Sequence, residues 1–369
     1  MDREIGTVVI GGSQAGLAAG YYLKQHGLPF VILDENDRIG DAWRKRWDSL
    51  RLFTPGRYDG LPGMPFPVSA WTYPTKDQTA DYLEAYANRF GLPVRTGVKV
   101  DRVKKTGERF EVTGGGQTLV AENVVVATGA FSNPRVPAFA RELDERIVQL
   151  HSKQYRKPSQ IREGAVLIVG AGNSGAEIAM DLAPHHRTWL SGPDTGQEPT
   201  RAGSRLDHVI TPIMWLAATR LTVKTAVGRK LRDHFTNPPR GIPLGRVRRQ
   251  DFARAGIERV PRMTGVSNGY PVLADGRVLE VSTVIWCTGY TPNYDWIECP
   301  LNKRNGLPIH DRGIVESCPG LYFIGLLFLY SLSSALVGGV GRDARHIVDH
   351  LDSTRVARRE DTAARARTA

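Results

Sequence analysis

A short apolar run that stops at a cluster of glycines and restarts as a helical pattern can fold in few ways, and this chain contains the arrangement twice. The run Thr7-Val8-Val9-Ile10 leads into Gly11-Gly12-Ser13-Gln14-Ala15-Gly16, then a helical pattern over residues 17–26 and a second apolar run, Phe30-Val31-Ile32-Leu33, closed by Asp34 and Glu35. Strand, glycine turn, helix and strand make a βαβ unit whose helix N-terminus aims free amides at a phosphate. Gly11 supplies the tight turn and Gly16 lets the helix sit close on the strand, while Ser13 replaces the middle glycine. From residue 165 the grammar returns: Val166-Leu167-Ile168-Val169, the turn Gly170-Ala171-Gly172-Asn173-Ser174-Gly175 with all three glycines in place, a helix over 175–182 and a strand over 187–190. Two such units imply two dinucleotide sites in one chain.

The residue ending the second strand of each unit sorts the two ligands. Asp34 is placed to accept hydrogen bonds from ribose hydroxyls, which favours a cofactor without a 2′-phosphate, such as FAD or NAD; a solvated turn residue is the competing reading. The corresponding strand of the second unit ends Leu190-Ser191-Gly192-Pro193, without an acid, which leaves room for the 2′-phosphate of NADPH and keeps NADH open. Arg187, Arg201 and Arg205 are candidate phosphate partners, and Asp194 a candidate repellent.

Each half closes on an apolar strand followed by Thr-Gly: residues 123–127 run into Thr128-Gly129, and residues 282–287 into Thr288-Gly289-Tyr290. Between the units lie a proline-rich loop over 54–74, a helix over 78–90 and hairpin strands around 98–100, 110–112 and 119–120. After residue 291 the chain is expected to return to the first domain with a strand at 321–324 and a helix over 338–351. The expected fold is therefore α/β, two dinucleotide-binding (Rossmann-like) domains. The second (161–290) is inserted into a discontinuous first (1–160 and 291–352), and a disordered basic tail (353–369), poor in apolar residues, follows.

Composition removes several classes. With 41% hydrophobic and 24% charged residues the chain can bury a full core. Cys287, Cys299 and Cys318 form no CxxC pair, which argues against a disulfide scaffold, a zinc site or a dithiol redox centre. No signal peptide is read at Met1–Glu4, so the expected location is cytoplasmic. Residues 321–340 carry no charge, but Gly325, Gly338, Gly339 and the serines among them read as strand, loop and helix rather than a transmembrane span. A net charge of +11 attracts anions; no nucleic-acid motif accompanies it, and phosphate-rich cofactors and solvated surface account for it. The apolar stretch 209–227 is expected to cover the active-site cleft or pack as core, with a membrane or protein surface as the alternative.

Together, the two turns, Ala127-Thr128-Gly129 and Thr288-Gly289-Tyr290 resemble the class B flavin-dependent monooxygenases over nearly the whole chain. Met64-Pro65-Phe66-Pro67, Tyr73-Pro74-Thr75-Lys76 and the second glycine turn are similar to bacterial flavin-containing monooxygenase-like proteins and plant indole-3-pyruvate monooxygenases. The resemblance implies FAD in the first turn and NADPH in the second. It implies cofactor contacts from Gly11, Gln14, Ala15, Gly16, Asp34 and Glu35, and from Ala42 and Trp43 in a segment running along the flavin. Further contacts are implied from Phe53, Thr54, Tyr73, Thr75 and Val100, from Ala127, Thr128 and Gly129, and from Gly325. For the second domain it implies Gly170, Gly172, Asn173, Ser174, Gly175 and Ser191, with Thr288, Gly289 and Tyr290 closing the site.

The family fingerprint is half present: His151 and Tyr155 fit, whereas Glu145 and Ile147 replace its aromatic and glycine. Tyr155 stands where Baeyer–Villiger members carry tryptophan. Phe53 replaces an asparagine that contacts the flavin hydroperoxide in many members, and Thr54 matches the small hydroxyl residue beside it. The implied reaction takes reducing equivalents from NAD(P)H and inserts one atom of dioxygen, through a flavin hydroperoxide, into a small nucleophilic substrate by N- or S-oxidation or keto-acid oxidation. No side chain is designated catalytic, because the cofactor performs the chemistry. The rival readings are an NAD(P)H-dependent flavin reductase or oxidase, for which Phe53 speaks, and a flavin-binding redox sensor.

Overall fold

The computed structural model describes residues 4–131, 133–236 and 241–368. Strand β1 (Glu4–Ile10), helix α1 (Gln14–Gln25) and strand β2 (Phe30–Leu33) form the first unit, with β1 and β2 parallel from Thr7 opposite Phe30 to Ile10 opposite Leu33. Valine and isoleucine suit these strands because a parallel sheet is covered on both faces, and Val8 and Val9 are fully buried. A one-turn helix α2 (Asp41–Arg44) precedes α3 (Lys76–Arg89), whose start is fixed by reciprocal bonds between Thr75 and Gln78. Then come β3 (Val94–Arg95) and an antiparallel meander, β4 (Val100–Thr106), β5 (Arg109–Gly114) and β6 (Gln117–Val126). The sequence pointed to two strands where β6 is one, because its first half pairs with β5 and its second half lies between β1 and the late strand at Leu321–Phe323.

The chain leaves the first sheet through β7 (Asn133–Pro134) and builds β8 (Val148–His151), β9 (Val166–Val169), α4 (Asn173–Leu182) and β10 (Thr188–Ser191). Two surface helices, α5 (Asp207–Arg220) and α6 (Ala226–Thr236), and the short α7 (Arg249–Arg254) precede β11 (Glu258–Val260). A hairpin of β12 (Met263–Ser267) and β13 (Tyr270–Leu273) then leads to β14 (Thr283–Trp286). The second sheet is parallel throughout, in the order β11-β10-β9-β14-β8. The return begins with β15 (Tyr290–Thr291), antiparallel to β7, and β16 (Ile297–Glu298), which adds to β4. After the hairpin β17 (Lys303–Arg304) and β18 (Leu307–Pro308), β19 (Leu321–Phe323) joins β6 and α8 (Val340–Thr368) packs on α1. The fold is α/β with two Rossmann-type domains, the second interrupting the first.

Three expectations need correction. Val148–His151 pairs with β14 in the second sheet, although a boundary at residue 160 put it in the first domain; its partner comes far later in the chain, and no local signal announces it. The arginine- and alanine-rich tail continues α8 to Thr368 instead of being disordered, because both residue types favour helix even without an apolar face. The stretch 209–227, expected to cover the cleft or pack as core, is not core: α5 only half-buries one face, from which Trp215 lines a cavity, and exposes Val209, Ile213 and Leu216. Residues 321–340 resolve into β19, a short 3₁₀ turn (Leu332–Ala335) and the start of α8, and no helix among the described residues is long and apolar enough to cross a membrane.

Candidate cofactor and substrate site

At the first turn, Gly11 has φ of 109°, a conformation only glycine adopts freely. Its amide donates to the Leu33 carbonyl at 2.7 Å, and a Cβ there would stand 2.7 Å from the Ala127 carbonyl oxygen. Gly16 permits an equally close approach, since its Cβ would lie 1.9 Å from the Gly11 carbonyl oxygen. Ser13 makes no side-chain cap on α1, so the first-turn amides, including those of Gln14 and Ala15, remain for a ligand. Gly325, just beyond β19, lies against Ala15: its Cβ would be 2.9 Å from that of Ala15. Asp34 is buried at the mouth of this turn, accepting from the Gly12 amide at 2.6 Å and from the Asn36 amide and side chain at 2.8 and 2.9 Å.

The second turn repeats this geometry. Gly170 has φ of 112°, donates to the Ser191 carbonyl at 2.8 Å, and would place a Cβ 2.2 Å from the Cys287 carbonyl oxygen. Gly175 would place one 1.8 Å from the Gly170 carbonyl oxygen. Cys287 is thus the counterpart of Ala127, and Thr128-Gly129 and Thr288-Gly289 follow their strands with left-handed glycines at 69° and 81°. Gly172 differs from its neighbours: its φ is ordinary, and a Cβ added there would meet nothing within 4 Å. Protein packing does not require glycine at that position, whereas the close approach of a pyrophosphate does. Both turns therefore fit the phosphates of a dinucleotide.

Several of the other expected residues have protein partners of their own. Ser191 is fully buried, accepting from the Met263 amide and donating to the Pro261 carbonyl, both at 2.9 Å, so its side chain faces the interior of the sheet. Asn173 uses its amide on the loop 242–245, donating to Pro243 at 3.0 Å and accepting from Gly245 at 3.1 Å. Thr75 caps α3, Tyr73 donates to Asp207 at 2.6 Å, and Glu35, Ala42 and Thr128 are exposed. Val100 opens β4 opposite Gly114; it is Val98 whose amide reaches the Asp34 carbonyl, at 2.8 Å. Ser174 lies in the first turn of α4. At the end of β10 stands a residue that motif reading missed: Arg259, from β11, donates to the Gly192 carbonyl at 2.9 Å and keeps a buried Nε without a partner. Arg187 instead lies over Trp189, and Arg249 pairs with Asp194 at 2.7 Å.

The two domains meet around Trp43 and Tyr290. Trp43 packs against the cores of both and reaches Gln14 at 3.4 Å. His151 is buried, its Nε2 3.1 Å from the Gly289 carbonyl and its ring edge-on to Tyr290, whose hydroxyl accepts from Arg46 at 3.1 Å. Burial lowers the His151 pKa, favouring the neutral ring. Tyr155 is buried and donates to Asp181 at 2.7 Å. His151 and Tyr155 thus hold the closing turn and α4 in place.

Beside loop 54–60 a cavity of about 470 Å³ is lined by Arg57, Tyr58, Leu61, Met64, Trp215 and Gly338, among others. Tyr58 and Trp215 stack with ring centroids 5.0 Å apart. Gly338 permits the closure of this region, since its Cβ would stand 1.7 Å from the Tyr58 carbonyl oxygen. Phe53 is exposed at the loop's start, and Thr54 donates to Asp59 at 2.5 Å. Asp59 is 1% exposed, its Oδ2 has no partner, and burial raises its pKa to about 7 against the opposing bond from Thr54. The aspartate was invisible to motif reading, because only the fold buries it.

The cysteines also rearrange the sequence argument. Cys287 lies half-buried against the second turn, and burial of its thiol raises the pKa to about 12. Cys299 and Cys318, separated in sequence, are hydrogen-bonded partners beside Lys105 of β4, away from either glycine turn. Spacing along the chain did not reveal that contact.

A family model described as pyridine nucleotide-disulphide oxidoreductase matches residues 8–230. An oxidoreductase described as CzcO-like from Geobacillus kaustophilus (strain HTA426) is 40% identical over 361 residues, covering 95% of this chain and 99% of its own. A probable indole-3-pyruvate monooxygenase, YUCCA9 of Arabidopsis thaliana, is 29% identical over 338 residues, covering 82% and 79%. Among solved structures, a flavin-containing monooxygenase from Stenotrophomonas maltophilia superposes with a TM-score of 0.76 at 30% identity, over 96% of this chain and 99% of that one. Fold and turns thus define an oxidoreductase built on two dinucleotide-binding domains. The chain belongs to the pyridine nucleotide-disulphide oxidoreductase family and, within it, to the class B flavin-dependent monooxygenases.

Proposed function

We propose that this enzyme binds FAD at Gly11–Gly16 and NADPH at Gly170–Gly175 and inserts one atom of dioxygen into a small organic substrate held beside loop 54–60. The observation that carries the reading is the pair of glycine turns built alike in one chain, each with uncapped helix amides and each backed by a Thr-Gly strand end. Bound there, the cofactors supply reducing equivalents and the activation of dioxygen. The chain's residues do the rest. Asp34 holds the first turn from its strand end, and Arg259 sets a cation beside Gly192, where a 2′-phosphate would lie. Asn173 ties loop 242–245 down over the second turn. His151 and Arg46 position Tyr290 at the domain junction.

Tyr58, Trp215, Leu61 and Met64 offer an apolar bed in this open depression, and Arg57, which also lines it, can receive a carboxylate. Among the candidate reactions this favours an aromatic keto acid over a simple amine. Asp59, buried between the lining residues Tyr58 and Gly60 and with a pKa of about 7, holds or releases a proton near neutral pH.

The test is to reconstitute the protein with FAD, supply NADPH and aromatic keto acids, sulfides and amines in turn, and measure product and hydrogen peroxide per NADPH consumed. Product matching NADPH for one substrate class supports the proposal. Peroxide matching NADPH for every substrate assigns an oxidase, and no flavin absorbance removes the cofactor assignment.

A further inference from the structure

Helices α5 and α6 carry a surface that neither glycine turn uses. The inner face of α5 is fastened at several points: Tyr73 donates to Asp207 at 2.6 Å, Trp71 stacks on His208 with centroids 4.1 Å apart, Trp215 stacks on Tyr58, and Arg342 donates to the Thr219 carbonyl at 2.7 Å. These positions share one face at helical spacing, so the opposite stripe of Leu206, Val209, Ile213, Leu216 and Arg220 is turned to water. Its four apolar side chains are 55–59% exposed. Scattered apolar residues on a surface need no account, but a continuous stripe along a helix marks a face made for contact.

The charge around the stripe says what it contacts. Residues 201–236 hold seven arginines and lysines against two aspartates, and Asp207 is turned inward to Tyr73, Thr200 and Thr211. Arg205 and Arg220 stand at the two ends of the stripe, and the exposed Lys224 and Lys230 lie near or on α6, which also exposes Val227. These four cations are in no ion pair among the described residues. An apolar stripe with a free arginine at each end, followed in the chain by free lysines, is the make-up of a helix lying in the interface of an anionic bilayer. A second copy of the same surface would oppose cation to cation, which disfavours self-association through this face.

We propose that α5 and α6 dock the enzyme reversibly on anionic lipid, with Leu206, Val209, Ile213 and Leu216 in the headgroup boundary and Arg205, Arg220, Lys224 and Lys230 against lipid phosphates. Trp215, on the inner face of the same helix, lines the cavity, so the docked face and the cavity are the two sides of one helix. The inference is independent of the redox reading, because it concerns a surface and not the cofactors.

The test is co-sedimentation of the full chain with phosphatidylcholine vesicles, with and without phosphatidylglycerol. Binding is expected only with phosphatidylglycerol and is expected to weaken as salt rises. Arg205→Gln with Arg220→Gln should lower partitioning about fivefold per charge removed. Ile213→Glu with Leu216→Glu should abolish binding while leaving the thermal midpoint unchanged, since both side chains are exposed. The proposal is overturned if the wild-type chain ignores phosphatidylglycerol vesicles or if the glutamate variant binds as well as wild type. It is equally overturned if the wild type is a dimer that the glutamate variant makes monomeric, which would assign the face to a second copy.

Discussion

Asp59→Asn isolates the energetic consequence of burying a carboxyl beside the cavity. Its folded-state pKa, about 7, lies above the ordinary value of 3.8, so the folded protein binds more protons than the unfolded chain between those limits. The stability tied to this proton is fully present below the lower value and is lost as pH rises, the loss being complete once pH passes the upper one. The gap corresponds to about 4 kcal/mol between about pH 4 and about pH 8, an upper figure because local relaxation reduces it. Asparagine keeps the shape and still accepts from Thr54, but has no proton to lose. Denaturant unfolding of both proteins across this range should give curves that coincide near the acid end. They should separate steadily toward neutrality, with the variant the more stable by a few kcal/mol. Parallel curves would refute the claim that Asp59 is a buried, protonatable acid.

Gly172→Ala should leave the unfolding free energy within about 0.5 kcal/mol, because a Cβ there meets nothing, while weakening NADPH binding at least tenfold in a titration; Gly170→Ala, with a Cβ 2.2 Å from the Cys287 carbonyl oxygen, should fail to accumulate as folded protein. Arg259→Gln should reduce the preference for NADPH over NADH by about tenfold or more in kcat/KM, the loss of one charge-assisted contact to phosphate. A thiol reagent should modify Cys299 first, its pKa lowered by Cys318 and Lys105, and Cys287 more slowly, its thiol raised to about 12 by burial.

What the sequence disclosed was local. A glycine turn between an apolar strand and a helix is a contiguous signal, so both units and both Thr-Gly strand ends were legible from the residues alone. Asp34 was legible too, because the end of the second strand lies at a fixed distance from the first glycine. Residues that act through partners remote in the chain were not. Arg259 meets Gly192 across two strands, Asp59 becomes a buried acid only when residues near Gly338 pack on its loop, and Cys299, just after β16, finds Cys318, just before β19. Ser191 stands beside the second turn as its position in the sequence suggested, but its side chain bonds to Pro261 and Met263, which are remote in the chain. Apolar content alone misjudged α5, because it does not say which face finds a partner.

The central claim is that an atom of dioxygen enters an organic product. Turnover under isotopically heavy dioxygen in ordinary water, with the product weighed by mass spectrometry, tests it most directly. The account predicts one heavy oxygen per product molecule, and none when the label is moved to the water and exchange of carbonyl oxygen is controlled for. Product without the label, or label recovered solely as hydrogen peroxide, would contradict it.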